Sequence, residues 1–268
     1  MTRRVRIWQL LLLVAIFVSW QVLTQPGLLP PVVWRDNPER AAFFFGEPVR
    51  MFAVIWHWFA DGTIYKHLWV TLEETVLAFV IGSALGLAIG LWLGLSRTAS
   101  ALLDPFITAA NAMPRVVLAP IFMVWFGLGI WSKVALGVTL VFFIVFFNVY
   151  QGVKEVSPVI VSNTVMLGAN RRQLLRAVYL PSATSWVFSS LHTSVGMAFV
   201  GAVVGEYLGS ANGVGYLIQQ AEGAFDINSV FAGILVLTAF ALVLDFAVGA
   251  AERRLLVWRP TQMETEQL

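Results

Sequence analysis

Few side chains in this 268-residue chain can do chemistry, and their spacing argues against most kinds of it. There is no cysteine, which excludes disulfides, thiolate catalysis and cysteine-based metal sites. His57, His67 and His192 are scattered, with no second histidine or carboxylate at ligand spacing, so no metal site is expected. No glycine-rich phosphate loop ending in lysine occurs, so the chain is expected to bind neither ATP nor any other cofactor itself. Glu206 and Asp245 lie in apolar runs, where an ionisable group is costly unless it faces protein or water. Glu206 suits either an external gate or a cap on the turn from Gly209 to Gly215. Asp245, two turns before Arg253 and Arg254, suits a structural ion pair or hydrogen bond. Asn111 and Asn148 either face a solute pathway or bond neighbouring backbone, the second being the default inside a membrane. The two carboxylates fall near opposite membrane faces, and no nucleophile–base pair is visible. Catalytic residues are therefore expected to be absent, and an intramembrane enzyme is the least favoured reading.

One polar island remains, from Leu167 to Pro181, with Arg171, Arg172 and Arg176 inside it and long apolar segments on both sides. Ser157 followed by Pro158 reads as a helix start, a cap and then proline at the first position. Gly168 reads as the left-handed residue that ends this helix. Asn170 caps a second helix over Arg171–Tyr179, and Pro181 closes the element and opens the fifth span. A short helix, a glycine corner and another short helix make a knob projecting from the membrane.

The elements that must position this knob are apolar helices. The chain is 59% hydrophobic and 12% charged, with mean hydropathy +0.79, against roughly 25% charged in soluble domains. Its net charge of +2 and the confinement of basic residues to short loops exclude nucleic-acid binding. Six spans are expected, near residues 7–23, 68–95, 105–126, 134–153, 184–207 and 230–250, each close to the ~20 residues that cross a bilayer. Arginines 3, 4, 6, 97, 171, 172, 176, 253, 254 and 259, with Lys154, fall on one side and predict both termini in the cytoplasm. Lys133 and the long loop 24–67 fall on the other. Within that loop Pro48–Phe59 reads as a helix, with Met51, Ile55, Trp58 and Phe59 at helical spacing. It lies either in the membrane interface or packed on the bundle. Trp34, Trp56, Trp58, Trp69 and Trp131 cluster near the expected outer boundary, where the lipid headgroups begin. Gly82, Gly86, Gly90 and Gly94 put a small-residue stripe on one helix face. It serves close packing or, alternatively, a sliding contact. The whole of 1–268 reads as a single all-α polytopic bundle.

The knob resembles the cytoplasmic coupling loop, here 154–183, of permeases in binding-protein-dependent ABC importers. Gly168 and Leu180-Pro181 match that loop's pattern, while Ser162, Asn163 and Thr164 stand where the family has Glu-Ala-Ala. Further matches cover almost the whole chain: Leu103-Asp104-Pro105, Met113-Pro114-Arg115, Leu118-Ala119-Pro120, Trp125-Phe126-Gly127, Gly205-Glu206 and Gly213-Val214-Gly215. They resemble the nitrate, sulfonate, taurine and vitamin-precursor subfamily. The resemblance implies a type I importer permease in a bacterial inner membrane, paired with a second permease subunit that is a copy of this chain. It also implies cytoplasmic ABC ATPase subunits that bind the ATP, and an external substrate-binding protein. With no acidic residue in the triplet, the ATPase contact is expected to rely on packing by Val165, Met166 and Leu167. The rival reading, a channel or scaffold, leaves the knob without a purpose.

Overall fold

Apolar runs that cannot leave backbone groups unpaired in lipid must become helices, and the computed structural model, which describes residues 3–24, 40–182, 186 and 190–255, is helical along nearly all of them. The proline-rich stretch after Gln25, Trp34 and the tail Thr261–Leu268 lie outside the described residues. In chain order the helices are α1 Arg3–Thr24, α2 Arg40–Phe45, α3 Pro48–Ala60, α4 Thr63–Leu95, α5 Arg97–Ala112, α6 Ala119–Phe126 and α7 Ile130–Lys154. They continue as α8 Pro158–Met166, α9 Arg171–Leu174, α10 Leu191–Leu208, α11 Val214–Gly223 and α12 Ile227–Leu255. Five of them, α1, α4, α7, α10 and α12, are long and apolar enough to cross a membrane.

The expected third span is corrected by the structure. Residues 105–126 do not form one straight helix. Helix α5 starts earlier, at Arg97, capped by the Ser96 hydroxyl that accepts the Ala99 N–H, and runs through Pro105 to Ala112. It then bends by 88° into a tight turn, Arg115–Leu118, and α6. The cause is local. A proline disfavours the helical backbone in the residue before it, and Met113, preceding Pro114, is extended at φ −70, ψ 132. The bent pair makes a sixth passage if it crosses as one span.

Two compact units share the chain. The first holds residues 1–70 and 206–239. Its α3 begins with proline, but its Glu47 cap residue makes no side-chain cap bond. The open donors are met from elsewhere in the unit. Asn228 Oδ1 accepts the Glu47 N–H at 2.8 Å, and Gln21 Oε1 accepts the Val49 N–H at 3.1 Å. Trp20 Nε1 adds a bond to the Phe45 carbonyl. The first N–H groups of any helix lack intrahelical partners, so these amides pin α3 to α1 and to the start of α12. Met51 is buried while Phe52, Trp56 and Phe59 face outward. The helix therefore packs on one side and presents an aromatic face suited to lipid on the other. Asp61 starts α4 by accepting the Thr63 N–H at 2.9 Å, and that hydrogen bond holds its carboxyl below the ordinary range.

The second unit holds residues 71–205 and 240–268. Its core is a seam between α4 and α7. Val141, Val145, Val149 and Val153 form a ridge at fourfold spacing, with Ala78 and Ala198 beside it. The ridge seats in the groove left by Gly82, Gly86, Gly90 and Gly94. A Cβ on Gly82 or Gly90 would lie 2.8–2.9 Å from Val141 or Val149 Cβ. In a membrane the hydrophobic drive between helices is absent, so close van der Waals approach has to supply the attraction. A second close approach, Gly137 to Gly201, brings α10 against α7.

Candidate coupling site

The knob is built by local chemistry. Ser157 Oγ accepts the Val159 N–H at 3.3 Å, and Pro158 occupies the first turn, where a missing N–H costs nothing. Helix α8 ends in a Schellman motif. The Gly168 N–H bonds the Val165 carbonyl at 2.9 Å and the Ala169 N–H bonds the Thr164 carbonyl at 3.2 Å. The motif requires a left-handed residue after the last helical turn, and Gly168 has φ +85. Asn170 and Gln173 then form a reciprocal capping box, at 2.9 and 2.8 Å, that starts α9. The second helix widens into a π turn over Leu175–Tyr179. Pro181 does not end it, contrary to expectation. The backbone remains helical through Ser182. A π turn shifts the hydrogen-bond pattern by one residue, which eases a proline placed directly after it.

The knob brings together most of the residues expected in it. Ser162 and Asn163 are exposed on α8, and Thr164 is partly covered, its hydroxyl bonding the Ile160 carbonyl. Val165 is exposed, and Met166 and Leu167 are 84% and 88% exposed at the helix end. With Val159 and Ile160 they make an apolar crest. Arg171, Arg172 and Arg176 are exposed on the adjoining helix. Exposed apolar clusters on a polar loop are a feature of interaction sites.

Each expected pathway residue has a local hydrogen-bond partner. Asn148 donates to the Ile144 carbonyl of its own helix at 2.8 Å. The Asn111 side chain bonds Arg115, whose guanidinium lies 4.7 Å from the Phe143 ring centre. Glu206 is fully buried, and its carboxylate accepts the Gly215 N–H at 2.7 Å. Gly213, at φ +101, lies so close that a Cβ there would collide with that carboxylate, and its N–H bonds His67 Nδ1 at 3.0 Å. Glu206 thus holds the turn after α10.

Several placements depart from expectation. Asp245 is 67% exposed and lies 3.9 Å from His192 Nε2, while His192 Nδ1 lies 3.2 Å from Glu252. This carboxylate therefore faces a histidine. The two imidazole nitrogens point at different carboxylates, and no metal-holding group occurs among the described residues. Glu74, in α4, is also buried. Lys133, expected on the outer side of the membrane, is fully buried in α7, with its ammonium on the Leu128 and Gly129 carbonyls at 2.5 and 3.0 Å. A lysine one turn after Gly127-Leu128-Gly129 was the only sequence signal for that cap.

The family profile described as binding-protein-dependent transport system inner membrane component matches residues 82–257. The chain belongs to that family. It is a permease subunit of the ABC importer class, a multi-pass inner-membrane protein of a system that includes a binding protein and an ATPase. It is 31% identical over 250 residues to the aliphatic sulfonates transport permease protein SsuC of Bacillus subtilis, covering 93% of this chain and 87% of that one. It is 33% identical over 217 residues to the riboflavin transport system permease protein RibX of Chloroflexus aurantiacus, covering 81% of each. Among solved structures, the MetNI methionine ABC transporter in an inward-facing conformation aligns with a TM-score of 0.62 at 16% identity, over 71% of this chain and 95% of that one. That likeness establishes the type I importer permease fold.

Proposed function

We propose that this permease works as a pair of identical chains around one solute pathway, and that cytoplasmic ATPase subunits grip it at Ser162–Gly168. The exposed crest of Val165, Met166 and Leu167 on a knob with a glycine corner is the observation that carries the reading. A helix laid in a partner's groove is read at such apolar anchors, and nothing in the triplet Ser162-Asn163-Thr164 supplies a charge pair. Arg171, Arg172 and Arg176 lie beside the groove and meet acidic ATPase residues or lipid headgroups. The chain itself catalyses nothing and binds no nucleotide. Its solute is a small organic molecule of the kind carried by its relatives, a sulfonate or a vitamin-type heteroaromatic, held first by the external binding protein. Cysteines at Asn163 and Met166 should cross-link to the ATPase in at least one nucleotide state. If neither does in any state, the coupling assignment is wrong.

The same reading sets both termini in the cytoplasm and α3 outside. Because the native chain has no cysteine, single cysteines report topology cleanly. In intact cells an impermeant maleimide should label Asp61→Cys and spare Glu155→Cys. The opposite pattern would reverse the orientation.

A further inference from the structure

The coupling knob stands on a narrow base, and that base is tied in three directions. Its incoming strut is the end of α7, and its outgoing strut is the helical stretch Leu180–Ser182. The Ser182 hydroxyl donates to the Gly152 carbonyl at 2.9 Å, closing the loop across its foot. The Trp186 side chain packs closely on Gly152. A Cβ at that glycine would be 2.9 Å from Trp186 Cγ and 3.2 Å from its Cβ. Tyr179 packs on the buried core that contains Val149 and Val153. The same turn of α7 also reaches forward. Tyr150 shares a hydrogen bond with Ser100 of α5, Lys154 lies over the Tyr150 ring, and Val149 and Val153 fill the groove at Gly90 and Gly94 of α4.

We infer that Gly152, Ser182 and Trp186 are positioning residues, a clamp that makes the knob and the α4–α7 seam move as one body. A loop joined to the membrane only by its two chain ends would absorb a push by bending, because loop ends are soft in φ and ψ. Close packing does not bend continuously; it holds or it jumps between arrangements. With the foot closed, displacement of α8 is delivered to the valine ridge, and from there to α4 and α5. Gly152 is the residue that makes this possible, since any side chain there would lift the indole and open the foot. The inference rests on the reading of α8 as the ATPase contact.

The test uses spin labels on cysteines at Asn163 and Thr98, in complexes captured through a tag on this chain and diluted with unlabelled copies. The distance between the labels should be the same without nucleotide and after vanadate trapping with ATP. Ser182→Ala and Gly152→Ala should broaden that distance and make it shift with nucleotide, and Ser182→Thr should restore the parent behaviour. If Gly152→Ala does not assemble, Ser182→Ala decides alone. A distance that shifts with nucleotide in the parent chain overturns the clamp. So does an unshifted distance in Ser182→Ala, provided the ATPase is bound. If no ATPase is captured, the coupling reading fails, and the clamp falls with it.

Discussion

Gly168→Val is expected to leave the protein in the membrane and to cut ATPase cross-linking at Met166 by about tenfold or more. The corner sits at φ +85, and no atom beyond its chain neighbours lies within 4 Å of the place a Cβ would occupy. Sterics with neighbours therefore contribute nothing, and the whole effect comes from the backbone. An L-residue held in the left-handed region costs roughly 1–2 kcal/mol, and a β-branched one is the least tolerant. About 1.4 kcal/mol is a factor of ten in population, and the chain relieves the cost by abandoning the Schellman turn that orients α8. Gly168→Asn, whose side chain tolerates this region, should retain most of the cross-link, and Gly168→Ala should fall between. Equal cross-linking in all three variants would mean that the corner does not set the knob.

Gly86→Val should prevent recovery of a monodisperse protein, and Gly86→Ala should lower its melting temperature in detergent. A Cβ on Gly86 would lie 2.9 Å from the Phe142 carbonyl oxygen, 2.9 Å from Val145 Cβ and 3.0 Å from the Phe146 nitrogen. Two of those three atoms are backbone, so no rotamer change relieves the clash, and α4 and α7 have to separate. Overpacking a tight interior costs about 1–3 kcal/mol. Separation also sacrifices the dispersion contacts along the ridge from Val141 to Val153, which are individually small and collectively large. Gly196→Ala is the matched control, a helical glycine with open space around it, and should melt like the parent. A normal melting curve for Gly86→Ala would show that the seam is looser than its geometry.

Much of the knob's backbone was legible in the amino-acid order because its determinants are local. Ser157 with Pro158, Gly168 at a helix end, and Asn170 with Gln173 each act within four residues, through backbone donors that any helix end leaves open. Five of the six expected spans were legible for a different reason, since hydropathy summed over about 20 residues needs no knowledge of neighbours. The bend at Met113 had a visible cause in Pro114, yet proline alone does not say whether a helix kinks or turns through 88°. The end of the knob was misplaced because Pro181 is passed within a helix once a π turn precedes it.

The order of residues by itself determined a polytopic helical permease, the place of its knob and the four-residue stripe on α4. Tertiary structure alone decided what those features meet. Only packing puts Val141–Val153 into the glycine groove, the Trp186 indole onto Gly152, and His192 between Asp245 and Glu252. It also buries Lys133 and Glu206 at turns where backbone groups need partners. Periodicity names the face of a helix, and caps name its ends. Which face meets which, however, depends on shape complementarity between segments tens of residues apart, and no local pattern carries that information.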